Sequence, residues 1–213
     1  MPVKNKIQNE ENFELAIWDV VESIDYFESK LDIHNEEIVI ITELSSRKKV
    51  EWLSSRYLLH IMSGRSIRGE FVKDNHGKPH LIDSQYHVSI SHSRDKVAVI
   101  ASPSIVGIDI QYFVNKIGRI QHKFVSEYEA KMIAADQEIE YLHIIWGAKE
   151  ALYKCYGKRG LDFKKHIKIN HFKIEETSGS FIGTVIKDDY NMRFDISYVL
   201  YNQYILVYAK ESI

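Results

Sequence analysis

Residues 145–154, IWGAKEALYK, place a carboxylate and an ammonium group on one face of a predicted helix. At about 100° per residue, Glu150 and Lys154 share this face with Trp146 and Tyr153. The opposite face is apolar and consists of Ile144, Ile145, Ala148, Ala151, Leu152 and Cys155. Alone, Glu150 and Lys154 would form a surface ion pair worth about 0.3–0.5 kcal/mol. The two aromatic rings beside them favour a packed face that meets a charged ligand.

Asp109 is a second acidic side chain that the sequence holds on rigid backbone. In the predicted strand VGIDIQ, residues 106–111, Ile108 and Ile110 point one way, whereas Asp109 and Gln111 point the other. A buried carboxylate needs a cation, hydrogen-bond donors or a metal ion. Two interpretations stay open: a salt-bridged or turn-capping aspartate, and a ligand of a hard divalent cation such as Mg²⁺.

The formal net charge of −2 gives the chain no global field that would attract an anion. An anionic ligand would therefore have to be bound by a local group of side chains, for which there are several candidates. Lys78 lies in the turn HGKP, and Ser91 and His92 lie at the end of the predicted strand YHVSISHS. The first half of a long predicted helix is strongly cationic and contains Arg47, Lys48, Lys49 and Arg56. Each of these could equally be a solvated side chain. The sequence contains no glycine-rich phosphate loop, no CxxC and no HExxH motif.

The composition is that of a globular protein with a substantial core, because 45% of its 213 residues are hydrophobic and 27% are charged. The single cysteine, Cys155, excludes an internal disulfide and fits a reducing compartment, where it would serve as a packing residue. The first dozen residues lack a secretory apolar region, and no apolar run approaches the roughly 18 residues of a membrane span. We therefore expect a cytoplasmic protein that binds neither nucleic acid nor a membrane.

The elements that must position these side chains predict an α+β fold. Strands are expected at residues 13–20, 69–74, 86–93, 96–102 and 106–111. A short helix is expected at 21–31 and a long one at 42–62, which Ser45 or Ser46 can cap. The chain then turns helical from about residue 118 to 157 and reaches a stop at Gly157 and Gly160. The remainder is expected to form an antiparallel meander over residues 166–176, 178–189, 191–202 and 203–210.

Four motifs in order, GKP, SISHS, VGIDIQ and IWGAKEALYK, resemble those of the 4′-phosphopantetheinyl transferase superfamily, surfactin-synthetase-activating type. The resemblance extends over residues 45 to 165, with about forty residues between Asp109 and Glu150. It implies two similar α/β halves related by a pseudo-twofold axis, each with an antiparallel sheet and a long helix, and an active site between them. The boundary would separate an N-terminal half, residues 1–104, from a C-terminal half, residues 105–213, that carries the metal site.

The resemblance also implies roles for the candidate residues. Asp109 and Glu150 match the carboxylates that bind Mg²⁺, for which Mn²⁺ can substitute, and Gln111 falls where many relatives have a third acidic ligand. Glu150 would be the catalytic base, and Lys154 would contact the pyrophosphate and stabilise the departing nucleotide. The phosphates of coenzyme A would be bound by Lys78, Ser91, His92, Lys154, Arg47, Lys48 and Arg56.

The implied activity is Mg²⁺-dependent transfer of the 4′-phosphopantetheine group of coenzyme A to a serine of an apo acyl or peptidyl carrier protein, with release of 3′,5′-ADP. Such carriers serve fatty acid, polyketide and nonribosomal peptide biosynthesis, and we expect the enzyme to act as a monomer. Two alternatives stay open. A Mg²⁺-dependent phosphoester hydrolase would need a water-positioning group, whereas a non-catalytic carrier- or nucleotide-binding protein of the same fold is left open by Gln111.

Overall fold

The computed structural model describes residues 3–9 and 13–212, which form eleven strands and five α-helices. The strands are β1 Val3–Asn9, β2 Phe13–Asp19, β3 Phe71–Lys73, β4 Pro79–Leu81, β5 His87–Ser93, β6 Lys96–Ser102, β7 Val106–Tyr112, β8 Ile167–Ile169, β9 Ser178–Lys187, β10 Tyr190–Leu200 and β11 Tyr204–Glu211. The helices are α1 Ile24–Glu28, α2 Asn35–Thr42, α3 Ser46–Ser63, α4 Glu127–Ala130 and α5 Glu138–Tyr156. Two 3₁₀ helices, Asn115–Lys123 and Ala135–Gln137, lead into α4 and α5.

A four-stranded antiparallel sheet in the order β1-β2-β6-β5 carries α3 on one face. The helix begins after Ser45 and ends at Gly64, whose φ of 62° places it in the left-handed region that favours glycine. Its apolar side chains pack on the sheet, where Leu58 meets Trp18 of β2 and Val99 of β6 in one buried cluster. The strands β3 and β4 form a separate two-stranded sheet beside them.

A five-stranded antiparallel sheet in the order β7-β11-β10-β9-β8 carries α5. The apolar face that the sequence predicts for this helix is buried in the largest core cluster and includes Ile144, Ile145, Ala148, Ala151, Leu152 and Cys155. The helix ends where the sequence predicts, because Gly157 adopts a left-handed φ of 71°. The order of elements therefore brings the polar face of α5 towards β7, the edge strand next to the first sheet.

Side-chain hydroxyl groups connect the two large sheets through their edge strands β5 and β7. The hydroxyl oxygens of Ser89, Ser91 and Ser93 accept the backbone N–H groups of Ile108, Ile110 and Tyr112 at 3.1, 3.1 and 3.4 Å. The SISHS motif thus supplies acceptors at every second residue, which matches the two-residue period of a strand. This register fixes β5 against β7 and sets the position of Asp109.

The α+β class is confirmed, and each strand and helix predicted from the sequence has a counterpart in the structure. Three elements are additions: β1, α2 and β4. The pseudo-twofold relation and the division at residue 104 stay predictions. In the part of the chain that the structure describes, no helix combines the length and apolar character needed to cross a bilayer.

Candidate active site

The helix α5 packs closely against β7 because residue 107 of the strand is glycine. A Cβ atom on Gly107 would collide with the backbone carbonyl oxygen of Ala151. This close approach lets Lys154 reach across the contact, where its Nζ donates to the carbonyl oxygen of Ile108 at 2.6 Å and to Oδ1 of Asp109 at 3.1 Å. Lys154 is therefore anchored to the strand that carries Asp109.

Three donors hold the Asp109 carboxylate, which is 8% exposed. Besides Lys154, the Ser91 hydroxyl donates to Oδ1 at 3.0 Å, and Nε2 of Gln111 donates to Oδ2 at 3.3 Å. Of the two interpretations drawn from the sequence, the salt bridge is thus present. It does not exclude metal binding, because a carboxylate has more lone pairs than these three donors use.

The amide of Gln111 has a defined orientation. Its Nε2 also donates to the carbonyl oxygen of His143 at 3.0 Å, so this nitrogen faces two acceptors. A Cβ atom on Gly147 would lie only 2.8 Å from the same nitrogen, so the side chain fits between β7 and α5 because residue 147 is glycine. The remaining acceptor, Oε1, is the one Gln111 atom that could bind a metal ion.

Glu150 does not make the salt bridge that its spacing to Lys154 suggests, because Lys154 contacts Asp109 instead. Burial, and next the negative charge of Asp109, raise the pKa of Glu150 to about 7, against a smaller lowering by Lys154. Two neighbouring carboxylates of which one resists ionisation are a donor set that suits a hard divalent cation. Among the described residues, no three or more His, Cys, Asp or Glu side chains are grouped so that they could hold a metal ion by themselves. Amide, water or substrate oxygens would therefore have to complete the coordination of Mg²⁺ or Mn²⁺.

A cationic cleft of about 210 Å³ adjoins Lys154. Lys78, from the turn before β4, donates from Nζ to the Cys155 carbonyl oxygen at 2.9 Å, and its stem packs against Gly157. Burial lowers the pKa of Lys78. Lys158 also lines the cleft and is exposed, and no Asp or Glu is among the described lining residues. The cleft thus has the charge expected of a phosphate site, and Lys78 and Lys154 both line it, while their contact with phosphate stays a prediction.

Two residues that were predicted to contact phosphate, one at the start of α3 and one at the end of β5, instead contact the carboxylate of Glu51. Arg47, whose side chain is 73% exposed, donates from Nε to Glu51 Oε1 at 3.1 Å, and His92 Nδ1 lies 3.5 Å from Oε2. Lys48 is exposed nearby in sequence. The hydroxyl of Ser91 bonds to Asp109 and to the N–H of Ile110, so its contact with phosphate stays a prediction.

Arg56 lies apart from this group. It lines a different cleft, which shares no lining residue with the Lys78–Lys154 cleft. The helix explains the separation, because the nine residues from Arg47 to Arg56 rotate the side chain by about 900°, two and a half turns, to the opposite side of α3. The structure therefore does not bring Arg56 to the predicted phosphate site.

Lys149 is a residue for which the sequence suggested no role, yet it is fully buried. Its Nζ donates to the carbonyl oxygens of Phe124 and Phe163 at 2.6 and 2.8 Å and to Glu129 Oε2 at 2.7 Å. Burial lowers the pKa of Lys149, whereas Glu129 opposes that shift. Lys149 directly precedes Glu150 in the sequence, and its hydrogen bonds fix two loops against α5.

Aromatic packing supports the same helix. Trp146 packs edge-on against Phe124, with ring centroids 5.0 Å apart, and tilts against Phe163 at 5.7 Å. Tyr153 lies 5.9 Å from the same Phe163 ring. The two aromatic residues that share a face with Glu150 are therefore packing residues, as the sequence predicted.

Residues 105–209, which include Asp109, Gln111, Glu150 and Lys154, match the family model of the 4′-phosphopantetheinyl transferase superfamily. This part of the chain belongs to that superfamily. The chain is similar to the 4′-phosphopantetheinyl transferase Gsp of Aneurinibacillus migulanus, with 30% identity over 129 residues, or 59% of this chain and 52% of the relative. The match thus spans about half the length of this curated relative.

Proposed function

We propose that this protein transfers the 4′-phosphopantetheine group of coenzyme A to a serine hydroxyl of an apo acyl or peptidyl carrier protein and releases 3′,5′-ADP. The observation that carries the proposal is the convergence of Asp109, Glu150 and Lys154 beside a cleft whose charges are cationic. Family membership supports phosphopantetheinyl transfer as the chemistry of such a site.

The cationic cleft would bind the phosphates of coenzyme A. Lys154 is positioned by Asp109 and the Ile108 carbonyl, Lys78 is positioned by the end of α5, and Lys158 adds an exposed charge. Mg²⁺, held by Asp109, Glu150 and Oε1 of Gln111, would supply neutralisation of the pyrophosphate charge. Fixed cations of this kind stabilise the charge that develops when a phosphoanhydride bond breaks.

Glu150 is our candidate for the general base. The serine oxygen would attack the phosphorus that bears pantetheine, the bond from that phosphorus to the bridging oxygen would break, and 3′,5′-ADP would leave. The serine proton would pass to the carboxylate of Glu150, which lies next to Asp109 on the polar face of α5. Lys154 would stabilise the leaving phosphate.

We further propose a monomeric cytoplasmic enzyme. The cleft is lined by Lys78, Val88 and Ser89, which precede β6, and by Tyr153 and Lys154 of α5, so one chain supplies both walls. The single thiol, Cys155, is buried, and burial raises its pKa to about 12, which makes it a packing group with no need of an oxidising compartment.

The test is to incubate the protein with an apo carrier protein, coenzyme A and Mg²⁺ and to measure the intact mass of the carrier. A gain equal to one phosphopantetheine group, together with 3′,5′-ADP, supports the proposal. A carrier whose acceptor serine is replaced by alanine is the control and should gain nothing. Breakdown of coenzyme A without a mass gain would instead identify a hydrolase, and the absence of both reactions a binding protein.

A further inference from the structure

The structure contains a second cleft, of about 170 Å³, between α3 and the β3–β4 hairpin. Most of its walls are apolar and comprise Leu59, Met62, Phe71, Leu81 and Ala101. A cavity of roughly 150 Å³ is large enough to bind benzene. The cleft therefore has room for a ring-sized apolar group.

Arg56 places a buried positive charge in this cleft. The residue is 8% exposed, and its guanidinium carbon lies 4.0 Å from the Trp52 ring centroid and 5.2 Å from that of Phe71. Nη1 donates to Ser55 Oγ at 3.1 Å, whereas the buried Nε has no hydrogen-bond partner in the part of the chain that the structure describes. No carboxylate among those residues forms a salt bridge with Arg56, so the charge lacks a counter-ion.

The other charged residues of the cleft do not act as a counter-ion for Arg56. Arg68 is held by Glu37 in a two-pronged salt bridge and by the Asp32 carbonyl oxygen, so the Glu37 charge is committed to Arg68. Glu14 also lines the cleft, but the charges that act on Arg56 are those of Glu37 and Arg68. Nδ1 of His60, a second lining residue, is buried without a partner among the described residues.

We propose that this cleft binds a small organic monocarboxylate with an apolar body. The carboxylate would accept hydrogen bonds from the guanidinium group of Arg56 and from His60, which both line the cleft, and the body would lie against Leu59, Phe71 and Leu81. A guanidinium is suited to a planar carboxylate because it offers parallel N–H groups, and a charge-assisted bond is stronger where the site is desolvated. The apolar walls favour a single carboxylate over the more strongly hydrated phosphates.

The test is a titration of the isotope-labelled protein with benzoate, followed by NMR, with benzamide as the uncharged ligand of the same shape. We expect saturable binding of benzoate with a dissociation constant of about 0.1–1 mM, typical of a ligand this small. Chemical shifts should change at Phe71, Leu81 and Ala101. Benzamide should bind at least about tenfold more weakly, because it lacks the charge.

Two variants make the assignment specific. Arg56→Met should weaken benzoate binding at least about tenfold, whereas the same change at the exposed Arg119 should leave it unaltered. Because Arg56 also packs on Trp52, Ala101→Leu provides an independent check: it fills the cleft, leaves Arg56 in place and should abolish binding.

The proposal is overturned if benzoate does not saturate the protein by about 10 mM, if benzamide binds equally well, or if binding survives both variants. Shift changes confined to the Lys78–Lys154 cleft would also overturn it. Binding of a glutamate-containing peptide without binding of benzoate would contradict the small-molecule assignment and identify the cleft as a protein-docking site.

Discussion

Lys154 and Asp109 form a salt bridge between α5 and β7, with Nζ 3.1 Å from Oδ1, and this contact leaves Glu150 without the lysine partner that the helical spacing offers it. Glu150 then stands next to a second carboxylate in a partly buried position, which raises its pKa to about 7. The salt bridge thus gives the two carboxylates different properties. Asp109 is paired with a lysine and held in place, whereas Glu150 changes its protonation state near neutral pH.

The elevated pKa of Glu150 predicts a specific pH dependence of stability. Because the folded-state pKa of about 7 exceeds the ordinary value of 4.5, the protonated form stabilises the fold below pH 4.5 and that contribution is lost as the pH rises through 7. In urea unfolding without divalent cations, the free energy of unfolding of the parent should fall by roughly 1–3 kcal/mol relative to that of Glu150→Gln as the pH rises from about 5 to 8. The exposed Glu138→Gln variant should follow the parent. Parallel curves for the parent and Glu150→Gln would contradict the raised pKa.

Divalent cations should reverse this loss of stability. At pH 8, Mg²⁺ should raise the melting temperature of the parent because it binds the folded state and relieves the repulsion between Asp109 and Glu150. The same addition should have little effect on Glu150→Gln, and removal of the metal with a chelator should restore the original melting temperature. An equal shift in both proteins would mean that Mg²⁺ binds elsewhere.

Substitutions of two of the three lysines of the cleft should separate an effect on stability from an effect on ligand binding. Lys154→Met removes the lysine donor from the Ile108 carbonyl and one of the three donors from Asp109, and should cost about 1–3 kcal/mol of unfolding free energy. Lys158→Met removes an exposed side chain and should change stability by less than about 0.5 kcal/mol. Both variants should weaken coenzyme A binding in calorimetric titrations. Undiminished affinity in Lys158→Met would argue against the cleft as the phosphate site.

Gly147 is predicted to control the position of Gln111. An alanine Cβ there would lie 2.7 Å from Val207 Cγ2 and 2.8 Å from Gln111 Nε2, so Gly147→Ala should displace Gln111 from Asp109 and cost roughly 1–3 kcal/mol. Gly118→Ala is the matched control, because its nearest atom would be Leu142 Cδ1 at 3.9 Å, an ordinary contact. Thermal unfolding compares the two, and equal melting temperatures would show that the Gln111 packing is dispensable.

Removal of the buried Lys149 charge should lower the free energy of unfolding far more than removal of an exposed lysine charge. Lys149→Met leaves the buried Glu129 without its cationic partner and removes the lysine donor from two carbonyl groups, at a cost of about 3–5 kcal/mol. Lys131→Met, at an exposed position, should have little effect. If denaturant unfolding gave similar midpoints for both variants, the network would not contribute to the stability of the helix that carries Glu150.

The sequence contained enough to predict the metal-site candidates but not the contacts that orient them. Asp109 and Glu150 stood out because strand and helix periodicity put each on a polar face. Lys149 did not, because its burial depends on two distant backbone carbonyls. Arg56 was grouped with Arg47 by proximity in sequence, although the helical rotation separates them. The alternating serines of SISHS were a usable signal, since their spacing matches the N–H groups of β7.

The same holds for the fold: elements that their own residues determine could be predicted, whereas elements that depend on distant residues could not. Strands such as β5 and β7 could be predicted because their own residues alternate, and α5 ends at a glycine that the sequence reveals. The three-residue strand β4 was assigned to a turn, because Pro79 and the residues before it are typical of one. Short strands of this kind exist through pairing with a neighbour, which no local pattern reports.

The most direct test of the account is the intact mass of an apo carrier protein after incubation with coenzyme A, Mg²⁺ and either the parent protein, Asp109→Asn or Asp136→Asn. The parent and the exposed Asp136→Asn control should convert the carrier to its phosphopantetheinylated form at similar rates. Asp109→Asn, verified as folded by circular dichroism, should be slower by at least about a hundredfold. Full conversion by folded Asp109→Asn, or no conversion by the parent, would contradict the assignment of this site.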